Sequence, residues 1–260
     1  MDGDKLSMLM KPVAATAAVM VAAGLSYFQK LGMEKEMVFA TTRAMIQLSF
    51  IGFLLDFIFT RRNDFWILFT YFFMVVLAGH TAGKRAKHIP KGNYIAGVSI
   101  LSGTGITLFL LIILNVFPFT PRYIIPIAGM LVGNAMTVTG VTMKKLREDL
   151  KSQKNLVETA LALGATPRQA ILNPVKRSLG IALAPVMDNA KTVGLITLPG
   201  TMTGLILGGA SPLQAIQLQI VVTNMLIGAS TMSSMLCAYL CWPSFLTKAY
   251  QLESTLFLDD

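Results

Sequence analysis

The 260 residues are 54% hydrophobic and 13% charged, with a mean hydropathy of +0.62; soluble domains carry about 25% charged residues, so an ordinary water-soluble enzyme is excluded and a polytopic membrane protein is indicated. The formal charge of +9 raises nucleic acid as a partner, but the Lys and Arg residues fall between apolar runs and are not interleaved with aromatics as in a strand-binding groove, which excludes it. The two cysteines, Cys237 and Cys241, lie four apart on one helical face and describe neither a disulfide framework nor a four-ligand metal site, so they read as packing residues.

Apolar runs at 12–29, 38–59, 65–82, 94–116, 123–143, 181–207 and 213–241 each suit a helix crossing about 30 Å of hydrocarbon. The fold class expected is therefore all-α, with about seven transmembrane helices in one membrane domain over 1–260. The last two runs exceed a single crossing and are expected to be tilted, broken or extended into an interface. The first run lacks a strongly positive leader and continues beyond signal-peptide length, so it reads as a retained span. With the N-terminus outside, 15 of the 22 Lys and Arg fall in inner segments and 5 in outer ones, the bias that the positive-inside rule requires.

Span two carries Arg43 and Gln47, four apart, as a polar stripe; facing a pathway, Arg43 would favour an anionic group. Asp56 precedes Arg61 and Arg62 at the end of that span and reads as interfacial. In span five, Asn134, Thr137 and Thr139 either line a path or hydrogen-bond between helices, and Gly129 and Gly133 offer a face for close approach.

The basic loop at 144–178 follows. Within 142–163, Leu146, Leu150, Leu156, Val157, Ala160, Leu161 and Leu163 share one helical face, so the helix of span five is expected to continue into the cytosol. Gly164 then supplies a helix stop, Thr166 an N-cap, Pro167 the favoured first position of a new helix, and Gln169 the far member of a capping box. The stretch "ETALALGATPRQAI" (158–171) is thus a helix, a tight corner and a second short helix.

Span six holds Asp188, Asn189 and Lys191. Charged groups within spans cost about 2.5 to 3.5 kcal/mol on insertion scales and are functional candidates. Asp188 and Lys191, three apart, either neutralise each other or serve a transport path. Pro199 removes a helix hydrogen bond, and Gly200, Gly204 and Gly208 recur every four residues, as a packing face or as the hinge of a broken helix. The 16 methionines are scattered through apolar spans and read as adaptable packing.

The corner resembles the EAA loop of ATP-binding cassette importer permeases: Glu158, Ala160, Gly164, Ala165, Thr166 and Pro167 match its pattern. Thr159 stands where that loop has its middle alanine, and Arg177 where importers carry a proline. More widely, "VGNAMTVTGVTMKKLREDL", "DNAKTVGLITLPGTMTGLILGGASPLQAIQLQIVV" and "CWPSFLTKAYQLE" resemble the permease family that includes bacterial iron-export and plant aluminium-tolerance permeases, with the tail and "TRRNDFW" closest to the plant members. The resemblance implies a non-enzymatic permease, homodimeric, paired with a separate ATPase subunit that binds MgATP. The chain itself would bind no cofactor, and the corner would be the coupling helix, with Glu158 and Arg168 as rim contacts. Consistently, the nearest string to a phosphate-binding loop, "GHTAGKR" (79–85), is one residue short and has Arg for the hydroxyl residue.

The resemblance further implies a role in metal tolerance by export or sequestration, in a plasma membrane or, in a plant, a vacuolar or other endomembrane. Hard trivalent cations want several oxygen ligands. With only Asp56 and Asp188 in the spans, the expected cargo is a metal chelate or an organic anion such as a nucleotide sugar, and no metal site is assigned. The rival reading is a stand-alone ion-coupled secondary transporter using Asp188 and Lys191.

Overall fold

The computed structural model describes residues 2–61, 64–86, 89–247 and 251, with side chains from residue 14 onward except those of 56, 57, 60, 61 and 64. The interfacial reading of Asp56, the charges of Arg61 and Arg62 and most of the tail beyond 247 fall outside what is described. The described chain is helical throughout, with one isolated bridge between Val193 and Thr197. Two compact units result, 1–62 and 63–260.

In the first unit, α1 (Asp2–Phe28) and α2 (Glu34–Arg61) pack together as a hairpin. The turn passes through Lys30 at φ 55° and Gly32 at φ 72°. α2 meets the length and hydropathy of a span over Glu34–Leu55, and α1 is apolar over Ala14–Phe28, the part of it described with side chains.

The second unit contains α3 (Asp64–Arg85), α4 (Gly92–Ile113), α5 (Pro121–Ser152), α6 (Lys154–Ala162), α7 (Pro167–Ala170), α8 (Leu172–Thr192), α9 (Gly200–Leu207) and α10 (Pro212–Cys241), which ends in a 3-10 turn, Trp242–Phe245. α3, α4, α5 and α10 form the core, and α8 packs on α5 and α10. Lipid tails are as apolar as leucine, so helices associate here by close packing and hydrogen bonding rather than by expelling water. Small residues accordingly occupy the seams: Ala82, Ala96, Ala135, Ala229 and Ala238 are fully buried. A Cβ on Gly79 would lie 2.7 Å from the Gly97 Cα, and one on Gly103 2.6 Å from the Ser233 backbone nitrogen. Some buried hydroxyls bond within their own helices, as Ser99 does to the Ile95 carbonyl at 2.7 Å and Thr142 to that of Val138 at 2.8 Å. Tyr71 joins α3 to α4 through Thr104 at 2.8 Å and the Leu101 carbonyl at 3.1 Å.

Five helices among the described residues have the length and apolarity of spans: α2, α3, α4, α5 and α10. Of the other two runs, the first falls in α1, a 27-residue helix described with side chains only from Ala14, and the sixth is not one helix. α8 stops at Thr192, the chain turns through 193–199 with Gly194 at φ +82°, and α9 resumes at Gly200 behind the extended Pro199. Gly194 accepts the turn that Cβ-bearing residues resist, and Pro199, with its φ fixed at −61°, enters α9 where no helical donor is needed.

Close approach also moves. A Cβ on Gly133, Gly200 or Gly204 would meet nothing within 4 Å, and one on Gly129 only the Met74 side chain at 3.8 Å. Neither expected glycine face is a helix seam within the second unit; the seams use Gly79, Gly83 and Gly103 instead. Spacing alone marks which glycines share a face, not whether another helix lies against it.

Candidate functional site

The break between α8 and α9 opens a cavity of about 410 Å³, walled by α5, α8, the turn and α10. Its polar lining is Asn134 and Thr137 from α5, Asn189 from α8, Thr197 from the turn, and Gln219 and Thr223 from α10. The lining contains amides and hydroxyls and no charged side chain. At 1.5 Å per residue the lining lies about 10 to 23 Å along α10 from Pro212 and about 20 to 30 Å along α5 from Pro121, within the length of two helices long and apolar enough to span a membrane. Non-helical backbone is tolerated at membrane depth where it is buried in protein or borders a cavity, and substrate sites of transporters form at such broken helices. Pro185, also in the wall, leaves the Ile181 carbonyl without its helical donor.

The expected path residues divide accordingly. Asn134, Thr137, Asn189 and Pro199 come together in the cavity wall. Asn134 and Thr137 also bond back to the Met130 and Gly133 carbonyls, at 2.9 and 3.1 Å, so each satisfies its own helix while facing the cavity. Thr139 is fully buried and does not line this cavity. Asp188 and Lys191 pair at 3.2 Å with their side chains largely exposed, off the cavity. Gly200, Gly204 and Gly208 border a separate recess with Thr201 and Leu218. Arg43 and Gln47 are exposed on α2 of the first unit.

Gln219, Thr223, Thr197 and Thr201 were not singled out from the sequence. Gln219 and Thr223 did leave a signal, two polar residues at i and i+4 inside an apolar run. Gln219 is buried to 8% exposure; its carboxamide oxygen accepts from Thr201 Oγ1, and its Nε2 donates to Thr223 Oγ1 at 3.2 Å.

The corner has the expected local chemistry. α6 ends in a Schellman motif: Ala165 N donates to the Ala160 carbonyl and Gly164 N to that of Leu161, both at 3.0 Å, with Gly164 at φ +89°. Thr166 Oγ1 accepts from Gln169 N at 3.4 Å, Thr166 N donates to Gln169 Oε1 at 3.0 Å, and Pro167 opens α7. Thr166→Ala is expected to cost about 1 kcal/mol locally, or roughly a fivefold rise in opening of 164–171, read by limited proteolysis.

Two features correct the sequence expectation. The helix does not run on through 142–163; α5 ends at Ser152 and Gln153 (φ −107°, ψ 21°) redirects the chain into α6. The apolar stripe therefore splits. Leu146, Leu150 and Val157 are fully buried, whereas Leu156 is 62% and Leu163 83% exposed, beside an open recess with Ser152, Asn155, Thr159 and Ala160. Arg168, expected at a rim, lies over the Tyr239 ring of α10 with its guanidinium 5.7 Å from the centroid. Glu158 faces Lys154 at 3.8 Å, and both are half exposed. Arg177, where importers have proline, faces the buried Asp149 of α5 at 3.8 Å. The corner is thus tied to α5 and α10 at its base and bare on its outer leucines.

Comparison with known proteins follows the same outline. The model of the Uncharacterised protein family (UPF0014) matches residues 9–246. The chain is 66% identical over 252 residues to Protein ALUMINUM SENSITIVE 3 of Arabidopsis thaliana, covering 97% of this chain and 92% of that protein. It is 67% identical to UPF0014 membrane protein STAR2 of Oryza sativa subsp. japonica, covering 97% and 88%. It is 39% identical over 241 residues to the Probable iron export permease protein FetB of Escherichia coli, covering 93% of each. No solved structure matches.

Proposed function

This chain belongs to the UPF0014 family of integral membrane proteins, and from that premise we propose that it is the transmembrane permease subunit of an ATP-binding cassette transporter. It works as a homodimer with a separate ATPase subunit that binds MgATP, its N-terminus outside and the 144–178 loop in the cytosol. The observation that carries this reading is the corner: a capped, rigid double helix from a basic segment that leaves Leu156 and Leu163 bare. A soluble protein's groove would cover such leucines, and stiff ends pass a push onward instead of fraying. The push has two routes inward, α8 directly and α10 through the Arg168–Tyr239 contact. Both elements wall the cavity.

The cavity is proposed as the substrate path. Its uncharged lining offers no set of hard oxygen anions for a bare trivalent cation, which favours a metal chelate or an organic anion such as a nucleotide sugar, handled through hydroxyls and amides. A similar protein is named for iron export and another for aluminium sensitivity, so a part in metal tolerance is proposed. The rival, an ion-coupled transporter using Asp188 and Lys191, draws no support from geometry: the pair is exposed and self-neutralising outside the cavity.

Purification and reconstitution test the proposal. Co-isolation with a soluble ATPase, and ATPase stimulation by one class in a screen of metal ions, chelates and nucleotide sugars, are expected. Uptake driven by a pH gradient without ATP would overturn it. Asn134→Leu combined with Thr137→Val is expected to lower flux about tenfold, the equivalent of one or two lost ligand hydrogen bonds, with ATPase pairing intact.

A further inference from the structure

α9 is an eight-residue helix with no buried residue. The chain on either side turns at Gly194 (φ +82°) and Gly209 (φ +92°), conformations that glycine adopts without strain. α9 packs against α10, yet an open recess bordered by Gly200, Thr201, Gly204, Leu205 and Leu218 runs beside it. Apolar contacts in a bilayer have no water to expel, so a loosely packed segment is placed mainly by its polar bonds. Among the described residues, the side-chain hydrogen bond between α9 and α10 is that of Thr201 Oγ1 to the Gln219 carboxamide. Gln219 is buried, lines the cavity and is held from its other side by Thr223. A buried amide oxygen is costly to leave without a donor, so this bond resists opening. Pro199, the residue that caps α9, is in the cavity wall. Any displacement of α9 therefore changes the cavity.

We propose that Gln219 is a positioning residue for the transport cavity: through Thr201 it sets where the second half of the broken helix stands, and hence how the cavity is closed at Pro199. The assignment rests on reading this cavity as the substrate path. Its consequence is that α10, which meets the coupling corner at Tyr239 and α9 at Gln219, carries both contacts on one rigid helix.

The test uses the full chain in lipid nanodiscs with Cys237 and Cys241 replaced by alanine. Nitroxides are placed at Tyr94→Cys and Leu207→Cys, both exposed positions, and the distance distribution is measured by electron–electron resonance. The parent and Thr201→Ser, which keeps the hydroxyl, are expected to give one narrow distance. Thr201→Val and Gln219→Leu are expected to add a second population above the ~10% that bounds a minor state. A second label pair, Tyr94→Cys with Tyr123→Cys, reports on the bundle and is expected to stay unchanged in every variant. Unaltered distances in Thr201→Val and Gln219→Leu would overturn the proposal, as would Thr201→Ser behaving like Thr201→Val or a broadened bundle pair. Neither substrate nor ATPase enters the measurement. Were α9 released as expected while Asn134→Leu with Thr137→Val transported normally, the substrate-path reading would fall and the positioning role would stand.

Discussion

Leu156→Asp with Leu163→Asp is expected to leave the chain folded in the membrane and to strip it of the proposed ATPase partner. Both side chains lie mostly in solvent, so the exchange removes no core contact and creates no cavity; thermal unfolding in detergent should shift little. In a docked complex the same leucines would be apolar anchors. An aspartate there loses the apolar contact and leaves a desolvated carboxylate, a change of the kind that costs at least about 2 kcal/mol at an interface centre, or roughly 30-fold in Kd. Co-purification with the ATPase, followed by titration of the two components, measures it. Retention of full affinity would remove the corner's outer face from the interface. Pro167→Glu tests the adjoining element, since it removes the residue that presets the first turn of α7; if pairing and transport survived it, the coupling assignment would be wrong.

Gly103→Val is expected to be among the most damaging single exchanges in the second unit. Even the Cβ would fall 2.2 Å from the Ser233 Oγ, 2.6 Å from its backbone nitrogen and 2.9 Å from its Cα. The hydroxyl has room to rotate; the backbone does not, so α4 and α10 must separate along a seam that includes the fully buried Ser230, Ser233 and Ala229. Overpacking costs about 1 to 3 kcal/mol and more where backbone must move, a large share of a total stability of order 5 to 15 kcal/mol. The readouts are thermal unfolding and the yield of monodisperse protein. Gly133→Ala is the matched control: its Cβ would meet nothing within 4 Å, and glycine-to-alanine in a helix gains up to about 1 kcal/mol, so its unfolding temperature should hold or rise. Equal loss in both variants would show that the damage in Gly103→Val does not come from the α4–α10 seam.

The two exchanges mark how far the primary structure could be read. The corner was legible almost atom by atom: a glycine stop, a threonine cap, a proline at the first turn and a glutamine three residues on are all found as hydrogen bonds. Each of those bonds joins residues at most five apart, so spacing alone specifies them. Asn134 and Thr137 were also visible as polar residues in an apolar run, and they do line the cavity. The exposure of Leu156 and Leu163 was not legible, because a single non-helical residue, Gln153, rotates α6 relative to the face counted along α5. Asp188 and Lys191 drew attention as charges in a span, but which side of α8 is occupied depends on α5 and α10, tens of residues away in the chain.

By itself, then, the order of residues determined an all-helical membrane protein and the capped corner, and left the 199–208 stretch open between a packing face and a hinge, since apolar run length and capping act over a few neighbouring residues. Tertiary structure alone decided which glycines are seams, which leucines stay bare, that Arg168 meets Tyr239, and that Thr201 is held by Gln219 eighteen residues on. Those outcomes depend on how helices fill the space between one another, and a helical repeat specifies a face without specifying what is packed against it.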